Sequence, residues 1–152
     1  MTLVLAALTA VQLLVAAPLE GVGHTRRDAM HRFGEPVGIG TDTVGTPGER
    51  GAGHVVTLDY AKTRVRLYEP ADGAPSRLIY VATVDDRFPT RGGVRVGSDR
   101  DAVLSELGAP AYEDEDQIIY AVPRADDPAT SDRVRIVLEN DRVAGIEWTF
   151  PR

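Results

Sequence analysis

The sequence predicts an α+β fold: two tandem helix-plus-three-strand repeats, forming an antiparallel sheet with the helices packed on one face. Three observations carry this expectation. Residues 22–36 (VGHTRRDAMHRFGEP) overlay residues 96–110 (VGSDRDAVLSELGAP) at a constant offset of 74 with no gap. Each copy carries helix start and stop signals. Each is followed by short β-branched and aromatic runs that alternate apolar with polar residues, the period of a half-buried strand.

In the first copy Thr25 is placed to cap a helix and Thr25-x-x-Asp28 has the spacing of a capping box; in the second, Asp99 and Ser98-x-x-Asp101 play these parts. Gly34 and Gly108 follow the helices where a left-handed residue would sit, and Pro36 and Pro110 forbid resumption. The apolar stripes are Ala29, Met30 and Phe33 in one helix and Val103, Leu104 and Leu107 in the other. Three strands are expected after the first helix, at His54–Ala61, Thr63–Glu69 and Arg77–Val84. Three more follow the second, at Gln117–Val122, Arg133–Glu139 and Arg142–Phe150. Asn140-Asp141 is a tight-turn pair joining the last two strands as a hairpin. Asp86–Gly93 reads as the linker, giving segments 1–19, 20–90 (first repeat) and 91–152 (second repeat).

Segment 1–19 has a different character. No charged side chain precedes Glu20, and Thr2–Ala17 is almost wholly apolar, ending at Pro18. This is the length of a signal-peptide core with its flanks and short of the ~20 residues of a membrane span. The expectation is an exported chain, periplasmic or secreted, whose residues 2–17 are either a cleaved signal or a tether in the membrane. A buried N-terminal helix is the competing reading.

The pattern Val-Gly-x-Thr-Arg-x-x-apolar-x-x-x-apolar-Gly-x-Pro, with a Tyr-bearing strand and a closing hairpin around Asn140-Asp141 and Trp148, resembles the SmpA/OmlA (BamE-type) domains. It is similar also to the tandem-repeat fold of the beta-lactamase-inhibitor proteins. The resemblance covers roughly residues 20–150 and is tighter in the second copy, Val96–Phe150. It implies an exported protein that binds other proteins through its sheet face or loops. BamE-type domains are lipoproteins and the inhibitor proteins carry disulfides; this chain has no Cys to support either feature.

Composition narrows the chemistry. With 43% hydrophobic and 26% charged residues the chain is an ordinary globular one. Zero Cys removes thiol nucleophiles, Cys-ligated zinc and iron–sulfur clusters. A net charge of −6 argues against nucleic acid as partner. His24, Asp28 and His31 have the i, i+4, i+7 spacing of metal ligands on a helix, but the repeat places His24 before the helix and gives Asp28 capping work. His54 is too far along the chain to join them unless the intervening loop folds back. Val37–Gly53 holds six Gly in 17 residues, yet Gly40-x-x-x-x-Gly45 leads to Thr46-Pro47 where a phosphate loop needs Lys-Ser/Thr; a mobile loop is expected there. Glu113–Asp116, four successive carboxylates, lacks calcium-loop spacing and reads as a solvated turn that could steer a basic partner. No nucleophile elbow surrounds Ser76, Ser98, Ser105 or Ser131. No enzyme, cofactor or metal is therefore expected.

What remains is the outward sheet face. Arg64-Val65-Arg66-Leu67 and Arg133-Val134-Arg135-Ile136 repeat one alternation in two middle strands. With the apolar residues against the helices, the arginines project from the uncovered face near Asp59, Tyr68 and Glu147. The candidate protein-binding residues are thus Arg64, Arg66, Tyr68, Arg133, Arg135 and Glu147, Arg and Tyr being frequent interface anchors. Trp148 shares a face with Ile146 and Phe150 and reads as core. The function expected is an exported, non-enzymatic protein-binding module. The alternatives are a membrane-anchored structural or assembly protein of the envelope and a small metal-dependent enzyme.

Overall fold

A computed structural model describes residues 9–16, 22–88, 90 and 93–152. Helix α1 (Ala10–Ala16) precedes α2 (Arg26–Phe33), which leads into strands β1 (Gly38–Val44), β2 (Gly53–Asp59), β3 (Thr63–Pro70) and β4 (Arg77–Thr83). Helix α3 (Arg100–Leu107) then leads into β5 (Tyr112–Glu113), β6 (Gln117–Pro123), β7 (Ser131–Glu139) and β8 (Arg142–Thr149). The strands form one antiparallel sheet in the order β1-β2-β3-β4-β8-β7-β6-β5. The class is α+β, mostly sheet. The last strand of each four-strand run lies at the centre, where β4 pairs with β8 over Tyr80↔Thr149 to Thr83↔Ile146.

All six strands expected from alternation are present. Helices α2 and α3 are each followed by four strands rather than three. The largest correction is β1, which occupies the Gly-rich stretch expected to be a mobile loop. Ile39, Thr41 and Thr43 alternate there as β-branched residues and pair with Leu58, Val56 and His54; Gly38, Gly40 and Asp42 beside and between them hide that period without breaking the ladder. The Asn140-Asp141 turn has φ of 52° and 59°, the doubly left-handed backbone of a two-residue hairpin with matching twist.

Helices α2 and α3 start and stop where expected, with different caps. The Thr25 hydroxyl accepts from the Asp28 backbone N–H at 3.1 Å while an Asp28 oxygen accepts from the Thr25 N–H, so this capping box is made. At α3 the N-cap Asp99 makes no such bond, and Ser98 Oγ accepts instead from the Arg95 N–H. Gly34 and Gly108 have φ of 86° and 78° with ψ near 180°, a positive-φ extended conformation reserved for glycine rather than the left-handed helical one.

One face of the sheet carries the core. Val56, Leu58, Val65, Leu67, Val81, Ile118, Val134, Ile136, Ile146 and Trp148 point inward, and they share one buried cluster with Ala29 of α2, Val103 and Leu107 of α3, and Leu14 and Val15 of α1. The N-terminal apolar run therefore enters the described structure as a short core helix over residues 10–16. It packs on β6, β7 and α3, and the Trp148 indole N–H donates to the Leu14 carbonyl at 3.0 Å. Residues 1–8 and 17–21, with the rest of the leader, and residues 89, 91 and 92 of the linker lie outside the described residues. Among the described residues no helix is long and apolar enough to cross a membrane.

A buried polar knot ends β4. The Thr63 and Thr83 hydroxyls lie 2.9 Å apart, and Thr83 Oγ1 accepts from the Asp85 N–H at 3.1 Å. The Asp85 side chain is 2% exposed, and Arg87 donates to both its oxygens. That guanidinium, helped by the Arg87 N–H, holds the Asp85 carboxyl down at about 2 from an ordinary 3.8. A carboxyl depressed on folding contributes stability above its unfolded value, and that contribution is lost as pH falls from about 3.8 toward about 2. Asp85→Asn should therefore be less stable than the parent at neutral pH, with the gap closing across that acid window in urea titrations. Because Arg87 is 76% exposed, the gap should also shrink in high salt.

Candidate functional site

The face opposite the core is crossed by two rows of side chains. In the first, Thr57 pairs with Arg66, Arg66 with Tyr80, Tyr80 with Thr149 and Thr149 with Arg133. In the second, Asp59 pairs with Arg64, Arg64 with Ala82, Ala82 with Glu147 and Glu147 with Arg135. The alternation in β3 and β7 places all four arginines on this face, so the register brings Arg64, Arg66, Arg133, Arg135 and Glu147 together.

The two rows differ in electrostatics. In the second row every charge has a partner: Arg64 Nε lies 2.5 Å from Asp59, and Arg135 bonds Glu147. Glu147 also accepts from the Tyr80 hydroxyl at 3.0 Å, which ties β4, β8 and β7 across the central seam. Burial first, and Glu147 second, push the Tyr80 phenol up, so it stays a donor at neutral pH. In the first row neither Arg66 nor Arg133 has an ion pair among the described residues. They stand three strands apart, roughly 14 Å at ordinary strand spacing. Beside the rows, a depression of about 410 Å³ opens over the seam, floored by Ala82, Ala144 and Gly145 and edged by Val84, Tyr80 and Glu147. Val84 is 56% exposed.

Tyr68 is the expected residue that does not take part. It lies on the same face but is 5% exposed, its hydroxyl donates to the Ala52 carbonyl, and Arg77 and Arg152 cover its ring. Tyr80, two residues inside the alternation of β4, is the aromatic the face presents. Its signal was the period-2 run RLIYVAT, blurred by a register shift between β3 and β4 beside Leu67.

The other motifs are absorbed by structure. His24 Nδ1 accepts from the Leu78 N–H at 3.2 Å and Asp28 caps α2, while His31 is exposed. Among the described residues no group of three His, Cys, Asp or Glu could hold a metal. In the acidic run, Asp114 accepts from the N–H groups of Asp116 and Gln117, and Arg100 donates to Glu113 and to the carbonyls of Asp114 and Glu115.

No family model, curated protein or solved structure matches this chain. The site therefore stands on its geometry alone.

A second concavity, about 390 Å³, lies at the far end of the seam between Val15, His24, Arg77, Arg124, Asp132 and Phe150. Arg77 Nε and Asp132 Oδ1 are buried without a hydrogen bond among the described residues, and burial pushes the Asp132 carboxyl up. Nothing in the alternation of the strands announces this cleft, because it is made by strand ends, the 124–130 loop, Val15 of α1 and His24 before α2.

Proposed function

We propose that the chain is an exported, non-enzymatic protein-binding module that engages its partner with the arginine-bearing sheet face. The single observation that carries this reading is the sheet face opposite the core, where among the described residues Arg66 and Arg133 have no ion pair on either side of Tyr80 and Thr149. Such a surface costs little to desolvate at its centre and offers two planar donors at its flanks, the composition of an interface anchor. A partner with two carboxylates about 14 Å apart and a small apolar side chain for the depression is its complement. The offset-74 repeat supports the wider reading, in which two helix-plus-strand units arose by duplication and meet at β4 and β8.

Export rests on the charge-free run before Glu20. The burial of Leu14 and Val15 favours retention of that segment in the mature protein over cleavage at Ala17, since cleavage would strip Trp148 of its cover.

The test is affinity capture from the native envelope fraction with the parent and with an Arg66→Glu/Arg133→Glu variant. The parent should retain a partner that the variant loses by tenfold or more, about 1.4 kcal/mol, with unchanged circular dichroism. Equal recovery would sink the sheet-face reading.

A further inference from the structure

The two edges of the sheet are built differently. β5 is two residues long and lies between Pro110 and the carboxylates of 114–116, a short and charged edge that resists pairing. β1 is seven residues long, Gly38–Val44, and carries no proline, lysine or arginine and one carboxylate, Asp42. Among the described residues only β2 pairs with it, so its other edge presents a free row of backbone N–H and C=O groups. Its middle residues are exposed, Ile39 at 55%, and Val37 just before it at 79%. Long, flat edges with exposed aliphatic residues are the ones that add strands.

We infer that β1 is a dimerisation edge that pairs antiparallel with β1 of a second copy of this chain, centred on Thr41. The register with full overlap sets Gly38 opposite Val44, Ile39 opposite Thr43, Gly40 opposite Asp42 and Thr41 opposite Thr41 of the other copy. Ile39, Thr41 and Thr43 share one face, where β-branched residues then meet across the ladder, a favourable cross-strand arrangement. On the other face each Asp42 lies opposite a glycine, so no like charges are directly paired. The contact is isologous: it uses the same edge of both copies and closes at two. Pairing β1 with the β5 edge of another copy would offer a ladder of only two residues. A single strand edge falls in the small class of interfaces, below roughly 1,200 Å² in total, so the dimer is weak and forms in a concentration-dependent way. This contact is separate from the arginine face and does not depend on it.

Sedimentation velocity on the full chain from about 1 µM to about 500 µM tests it, a range spanning weak self-association. The mass should rise from 16.4 kDa toward twice that value with concentration. Thr41→Lys and Thr41→Glu, at an exposed position, should each remain monomeric throughout with parental circular dichroism, because the register sets like charges face to face. An equimolar mixture of the two should recover the dimer, with an apparent affinity at least tenfold above either variant alone. A monomeric parent at all concentrations overturns the inference. So does a mass that keeps growing past two copies, a Thr41→Lys variant that still dimerises, or a mixture that fails to associate.

Discussion

Trp148→Ala should lower stability by about 3–5 kcal/mol, the cost of removing a large aromatic side chain from a closed core. Trp148 has no exposed surface, lies at the centre of the inward face, and is the residue to which α1 is hydrogen-bonded. A loss of that size is a large share of the roughly 5–15 kcal/mol that a folded domain has in total, so the urea midpoint should fall by about 1–2 M. Far-UV circular dichroism is the right signal, because Trp148 is the single tryptophan and its fluorescence leaves with it. Trp148→Phe separates the two contributions. It keeps most of the apolar area but leaves the Leu14 carbonyl without its donor, and should cost about 1–3 kcal/mol. Equal midpoints for parent and Trp148→Phe would mean that the indole bond to α1 contributes nothing.

Gly53→Ala should be costly for a different reason. Gly53 opens β2 and lies against β3, where a Cβ would sit 2.3 Å from the Glu69 carbonyl oxygen and 3.0 Å from the Pro70 Cα. Both obstacles are backbone, so a side-chain rotation cannot relieve the contact and the β2–β3 ladder must shift. Overpacking of this kind costs about 1–3 kcal/mol, or roughly 3–10 °C in melting temperature for a chain of this size. Gly40→Ala, whose Cβ would meet nothing nearer than the Thr57 Cβ at 3.9 Å, is the matched control and should stay within about 0.5 kcal/mol of the parent. A Gly53→Ala melt that overlays the control would show that β2 and β3 have slack at this point.

The contrast between β1 and the other strands shows which parts of this fold are legible in the sequence. Strands such as β3 and β7 are half-buried, so selection for a core writes an apolar period of two into them, as at Val65 and Leu67 or Val134, Ile136 and Leu138. β1 lies at an edge with both faces exposed; nothing forces a hydrophobic alternation on it, and its glycines read as loop. The helices were legible through their caps, although the Ser98 and Asp101 pair has capping-box spacing without the bonds, since Ser98 is drawn to the Arg95 N–H. The same logic divides the site. Arg64, Arg66, Arg133 and Arg135 share a face because strand parity fixes it. Parity does not say which of them are neutralised, because that depends on cross-strand neighbours such as Asp59 and Glu147. Nor does it reveal that Tyr68 is covered, since the cover comes partly from Arg152, 84 positions away in sequence.

The contact between α1 and Trp148 also sets an order of events in time. The two residues that form it are 134 positions apart, and β4 likewise waits for β8, the last strand of the chain. At ordinary synthesis rates of about 5–20 residues per second, the apolar N-terminus is made roughly 7–27 s before the tryptophan that will cover it. During that interval the Leu14 carbonyl has no indole to accept from and β4 has no central partner; once the final strand arrives, residues 10–16 and the inward face close into one core. The core is in this way finished last at the point where an early helix meets the final strand.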